Sequence, residues 1–407
     1  MRKLSILALL LSCTVAGAVE IRPQKELREL EEAIKSEPGV SWQDWRFLSF
    51  GATELADLAP DRRTTKMVVM TVTKSDKGMD TLMADMRPRL LALNIKELGW
   101  TPAMWEEMSR EWVYYKGLQV PESVMRSTGS RFPIMRSDVF VQEAWKSKWY
   151  TQLLNLPTSR QKLYDDLGIK FNEPKYAGTL SDTLTVTNHP GKIAYYQGKN
   201  GSVYVRMNYE NTRGRNDSKR YPANFDCQYN TVMFQLPNGL DGFASYDGDT
   251  ATLSRFSDTR VEKDLKGHSI ELGRSCFECH TGAKKLSNLD DVRDLNLNPG
   301  WIKVFDKERL QKQASEDQTR WAISLRSMMN MSPDQWTKNI DRMHKSFHGR
   351  LNLPRMAREF GVDVGTLENA MLGCDHEEIV ALVQDRDTWT REKFEEHYEE
   401  IAAALYR

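Results

Sequence analysis

Thr231-Val232-Met233-Phe234-Gln235-Leu236-Pro237-Asn238-Gly239-Leu240-Asp241-Gly242-Phe243-Ala244-Ser245-Tyr246-Asp247 sets the fold class. Two β-prone runs flank Pro237-Asn238-Gly239, a combination that folds back as a hairpin. Short runs rich in Val, Tyr, Thr and Phe lie upstream, at Thr183–Thr187, Lys192–Gln197 and Ser202–Asn208, separated by Gly and Asn turns. Together they predict a β-rich module over 173–272.

Past this module the pattern changes to helical spacing, over Lys307–Met329, Pro333–Phe347, Leu353–Phe360, Val364–Leu372 and Arg391–Leu405. Residues 273–407 are therefore expected to form an all-helical region. Residues 19–172 read as mixed and mainly helical. Leu27, Leu30 and Ile34 recur at helical intervals in Pro23–Ser36, and Thr101 caps a helix from Pro102 to about Trp112 that sets Trp105 and Trp112 on one packed face. Arg89–Ile95 reads as a strand. Another helical run ends near Leu156, and Ser159–Leu167 is a short helix closed by Gly168. Lys66–Thr73 fits either a strand or a buried helix. The class is α+β, and 407 residues suit two or three domains.

Lysine plus arginine and aspartate plus glutamate are equal at 57 each, so no net field favours nucleic acid or an anionic membrane. Residues 1–18 read as an export leader: Arg2 and Lys3, an apolar Leu4–Leu11, then Ala16-Gly17-Ala18 as the cleavage pattern, with Val19 opening the mature chain. No later stretch approaches the roughly 20 apolar residues of a membrane span. The expected location is the bacterial periplasm or cell exterior. Leu10-Leu11-Ser12-Cys13 also loosely matches a lipoprotein box, and acylation of Cys13 at the outer membrane is the alternative. Of five cysteines, Cys227, Cys276, Cys279 and Cys374 remain after the leader. In an oxidising compartment Cys227 and Cys374 form a disulfide or stay as separate buried thiols.

Cys276-Phe277-Glu278-Cys279-His280 has the spacing of a c-type haem attachment site. One turn of chain offers both thiols to one edge of the macrocycle, and the adjacent histidine reaches the iron. A redox dithiol would need a thioredoxin-like strand before it, and zinc a second Cys or His pair; neither accompanies the motif. The motif occurs once, which predicts one covalent haem c with His280 as its proximal iron ligand. For the distal position the sequence offers Met331, which Ser332-Pro333 exposes at a helix end, and His189, on a loop between strand-like runs. Met328, Met329, Met343, His344, His348, Met356, Met371 and His376 are further candidates, most of them core filler, and His397 on a charged helix reads as a surface residue.

Several of these stretches resemble a family. Leu236-Pro237-Asn238-Gly239-Leu240, the aromatic and Asp-Gly turn of the next strand, Ser275-Cys276-x-x-Cys279-His280 and Asp290-Asp291-Val292-Arg293 are similar to the core signature of large single-haem c-type cytochromes of environmental bacteria. Arg89–Trp105, Asp138–Val141, Leu153–Pro157, Leu353–Val362 and Thr390–Tyr398 extend the likeness over nearly all the mature chain, most specifically over 231–293. Asp226-Cys227-Gln228 departs from it where a glycine pair is expected. The resemblance implies haem binding and electron transfer, with Cys276, Cys279 and His280 as cofactor residues. Arg293 either pairs with a haem propionate or with Asp290 or Asp294 on a helix surface.

The leading functional expectation is one-electron transfer to a redox partner protein. A simple carrier is far shorter than this chain, so the excess points to a docking surface, a pocket or a structural role. The alternative is a haem enzyme, a peroxidase or small-molecule oxidase with an open distal iron position served by His189 and an arginine. A haem-based sensor or adhesion protein is the third reading.

Overall fold

The computed structural model describes residues 20–115, 119–180, 191–208, 229–247, 252–253, 272–280, 289–290 and 304–406, with backbone alone at 180, 208, 229, 278, 279, 289 and 290. The leader, Cys13 and the Thr183–Thr187 run lie outside them.

The first sheet has four strands: β1 (Trp45–Ser49), β2 (Met83–Arg87), β3 (Leu90–Asn94) and β4 (Ile134–Arg136), in the order β2-β3-β1-β4. β3 runs antiparallel to both neighbours, and β4 lies parallel to β1 with Phe47 opposite Ile134. Leu90-Leu91-Ala92-Leu93 is buried on both faces, which is why it reads as a continuous apolar run without alternation. The Leu58–Thr71 helix settles the open reading of Lys66–Thr73: the stretch is a buried helix as far as Thr71, with Met67, Val68, Val69 and Met70 inside the core.

The second sheet contains β5 (Tyr176–Leu180), β6 (Gly191–Gly198), β7 (Gly201–Asn208), β8 (Tyr229–Gln235), β9 (Asp241–Asp247) and β10 (Leu289–Asp290), in the order β10-β5-β6-β7-β8-β9 and wholly antiparallel. The β8–β9 turn is the one expected. Gly239 takes φ +84°, its N–H donates to Leu236 O (2.9 Å), and Leu236 N donates to Leu240 O (2.7 Å). Asn238 uses both ends of its amide: Oδ1 accepts from Leu240 N (3.0 Å), and Nδ2 donates to Met70 O (2.8 Å), seating the turn on the Leu58–Thr71 helix. Across the sheet, Tyr176, Tyr195 and Tyr204 form a cross-strand aromatic ladder with ring centroids 5.8 and 5.3 Å apart. The Tyr204 hydroxyl donates to Asp317, which lies on the Lys307–Met329 helix and fastens that helix to the sheet.

The C-terminal region is helical, and its ends follow capping rules. Asp306, Ser332, Asn352, Asp363 and Thr390 each accept a backbone N–H at a helix start, and Asn330 (φ +49°) and Gly361 (φ +69°) close helices in the left-handed region. Three expectations need correction. The region is not purely helical, because β10 and a bridge from Phe305 to Ala177 extend the second sheet into it. The run Arg391–Leu405 is two helices, Arg391–Glu396 and Tyr398–Leu405, divided at His397, and Glu377–Gln384 is a further helix. His397 is buried at 7% exposure, because the break in the helix turns it inward onto Trp389.

The two ends of the described chain pack together. The Arg22–Ser36 helix buries Leu27, Leu30, Ala33 and Ile34, and Arg22 and Lys25 reach the carbonyls of Arg358 (2.8 Å) and Gly361 (2.7 Å). Glu26 sits on the same buried face, where loss of hydration lifts its carboxyl to about 7 although Ser49 and Arg22 pull it down. The unfolded carboxyl titrates near 4.5. The folded state thus holds the extra proton between these values, and stability falls as pH rises through that window. Glu26→Gln should leave stability unchanged near pH ~4 and raise it by on the order of 2 kcal/mol near pH ~8. Urea titrations of both proteins at the two pH values check this, and an equal difference at both would refute it.

Candidate functional site

The motif occupies one short helix, Arg274–His280. Its entry depends on Gly273, which holds φ +93° and leaves no space for a side chain: a Cβ there would stand 2.6 Å from Trp145 O and 2.7 Å from Tyr150 Cγ. That closeness lets Arg274 N donate to Trp145 O (2.8 Å) while Phe277 N donates to Gly273 O (3.0 Å). Four residues along a helix return to the same face, so Cys276 and His280 are presented together. Cys276 is buried and His280 half-buried, and the side chain of Cys279 lies outside the described residues.

Phe277 anchors the helix. Its ring stacks on Trp145 at 4.5 Å and meets Phe243 and Tyr150 edge-on at 5.1 and 5.8 Å. Each partner is fixed in turn. Trp145 Nε1 donates to Thr71 Oγ1 (2.9 Å), and its ring meets Trp336 edge-on at 5.7 Å. The Tyr150 hydroxyl accepts from Phe243 N (2.8 Å), and burial drives its phenol well above the ordinary range, so it stays neutral. Phe243 continues to the His280 ring, 5.4 Å away.

A small cavity of about 10 Å³ adjoins this face. Met67, Thr71, Asp241, Phe243, Phe277, His280, Trp321 and Trp336 line it. By donor chemistry the site suits a covalent haem, with a thiol and an imidazole on one helical face and aromatic walls beside them. The cavity does not supply the room, since it is about the size of one water. A macrocycle on this motif must take its space elsewhere or displace the aromatic lining.

Among the expected distal ligands, His189 lies outside the described residues, as do Arg293 and Cys227. The expectation that Ser332-Pro333 exposes Met331 needs correction. Met331 is 2% exposed, because Asn330 ends one helix in the left-handed region and Ser332 begins the next with a capping box, tucking the residue between them into the core. It does not line the cavity at His280. Met329, Met343, Met356 and Met371 are core filler as expected, and Met328 is half-buried. His344 and His348 turn to Gln142 Oε1, at 2.6 and 3.1 Å, and burial with the nearby Arg274 charge lowers the pKa of His348. Cys374 is half-buried.

Sequence reasoning missed Met67, a methionine on the cavity wall. The signal was present: once Lys66–Thr73 is helical, Met67 and Thr71 stand one turn apart on a single face. No family model, curated protein or solved structure matches the chain.

Gly273→Ala should cost about 2–4 kcal/mol, since both the backbone angle and the lack of space oppose a methyl group. Thermal unfolding of the variant tests this. A melting temperature equal to the parent's would show that the close approach does not hold the motif in place.

Proposed function

We propose that the chain is an exported single-haem c-type cytochrome that passes one electron at a time to a redox partner protein in the periplasm or at the cell surface. Cys276 and Cys279 would carry the haem as thioethers, and His280 would ligate its iron. The observation that carries this reading is the placement of Cys276 and His280 on one face of a helix whose other contacts, through Gly273 and Phe277, are fixed by close packing. Haem supplies a one-electron ferric–ferrous couple, with its potential set by axial ligands and by burial.

The chain's own contribution is a rigid, dry surround. Trp145, Tyr150, Phe243 and Phe277 exclude water from the inner side of the helix, and Tyr150, held neutral, adds no charge. Low mobility and low local polarity keep the reorganisation accompanying electron exchange small. Were the macrocycle to displace the aromatic lining of the cavity, Met67 on its wall would offer a thioether to the iron, a donor that favours a higher potential.

Absorption spectra of the haem-loaded protein test the reading. A low-spin iron that ignores carbon monoxide is expected, and Met67→Ala should open it to carbon monoxide. A high-spin, carbon monoxide-binding parent would overturn the carrier reading in favour of the enzyme. A Met67→Ala spectrum identical to the parent's would remove Met67 from the ligand set.

A further inference from the structure

Away from the haem motif, three helical segments bring His376, His397 and Glu400 together. His376 is the residue before the Glu377–Gln384 helix, His397 sits at the break between the last two helices, and Glu400 lies one turn beyond it. One ligand atom from each lies within 4.8 Å of the others. His397 Nδ1 is 2.8 Å from Glu400 Oε2, and His376 Nε2 is 3.0 Å from Glu400 Oε1, so one carboxylate is shared by two imidazoles.

The second nitrogen of His397 gives this cluster its direction. Nε2 is 3.3 Å from Glu378 Oε2, which also meets Lys393 Nζ at 3.1 Å. A neutral imidazole has one N–H, and here two carboxylates face its two nitrogens. When Nε2 donates to Glu378, the Nδ1 lone pair faces Glu400, and either a second proton or a metal ion between them relieves that contact. A carboxylate on the far nitrogen is also the arrangement that fixes the tautomer and raises the basicity of a metal-bound histidine. Trp389, 5.0 Å from the His397 ring, holds that ring in place.

Glu400 belongs as well to the wall of an open groove of about 640 Å³, which Glu111, Glu143, Glu395, Glu396 and Glu399 share, among the described residues, with one cation, Lys146. Carboxylates so concentrated raise the local concentration of cations and give an entry path that ends at Glu400.

We propose that His376 Nε2, His397 Nδ1 and Glu400 form a binding site for a divalent transition-metal ion, zinc by ligand type, with Glu378 as a positioning residue for His397. Two histidines and a glutamate are an established zinc ligand set, and three protein ligands leave a fourth position for water. The site is independent of the haem reading.

Calorimetric titration of the full chain with zinc chloride, after dialysis against chelator, tests the proposal. One equivalent should bind, at least tenfold more weakly in His376→Ala and in Glu400→Gln, both at exposed side chains whose loss should leave far-ultraviolet circular dichroism unchanged. The same equivalent should persist when Cys276 and Cys279 are serine, and cobalt in place of zinc should give a spectrum without thiolate charge transfer. Absence of stoichiometric binding, equal binding in both variants, or loss of binding with the cysteines would each overturn the proposal.

Discussion

The stack of Phe277 on Trp145 is the contact on which the arrangement of this molecule turns. Trp145 ends a helix of the N-terminal region, Phe243 lies on β9, Phe277 belongs to the motif helix and Trp336 to a C-terminal helix, and these rings converge within 4.5 to 5.7 Å of one another in sequence around Trp145 and Phe277. Such pairs add about 0.5–1.5 kcal/mol each beyond the burial of their surface. Their larger effect is geometric. The motif is a seven-residue helix, too short to be stable alone, and it exists because the other parts of the chain close on Phe277 and on the gap left by Gly273.

A second constraint holds the scaffold behind it. Glu359 is buried between the guanidinium groups of Arg136 and Arg391, which joins β4 to the C-terminal helices, while Arg136 also pairs with Asp138. Burial alone would raise the Glu359 carboxyl, but the two positive charges hold it well below the usual range. Its contribution to stability is therefore present above the unfolded pKa near 4.5 and is lost as pH falls through the folded value. Removing one member would leave a buried charge uncompensated, at about 3–5 kcal/mol. Arg391 further donates to the Tyr114 hydroxyl (2.8 Å), whose ring also lies against Arg136, so the network takes in a second residue of the N-terminal region.

Much of the fold was legible because local rules and tertiary packing agree. Capped helices such as Lys307–Met329 and Leu353–Phe360 begin and end where Asp306, Asn352 and Gly361 dictate, and the Pro237-Asn238-Gly239 turn joins the strands it was expected to join. What could not be read lay where tertiary contacts decide. The short strand Ile134–Arg136 gains its identity by pairing with Trp45–Ser49, which in turn pairs with Leu90–Asn94, and His397 is buried by a helix break that its charged neighbours do not announce. At the site, the Cys-x-x-Cys-His spacing was plain, but the wall that faces His280 was not. Met67 precedes His280 by more than two hundred positions and comes near it through tertiary contacts of the Leu58–Thr71 helix, among them Asn238 on Met70 O and Trp145 on Thr71.

The central claim is that residues 274–280 present their thiols and imidazole to a covalent haem. Mass spectrometry of the proteolytic peptide spanning Cys276 to His280, from protein made alongside a bacterial cytochrome c maturation apparatus, tests it most directly. The account predicts one haem per peptide, joined at both cysteines. A peptide recovered at its bare mass from fully matured protein would contradict it.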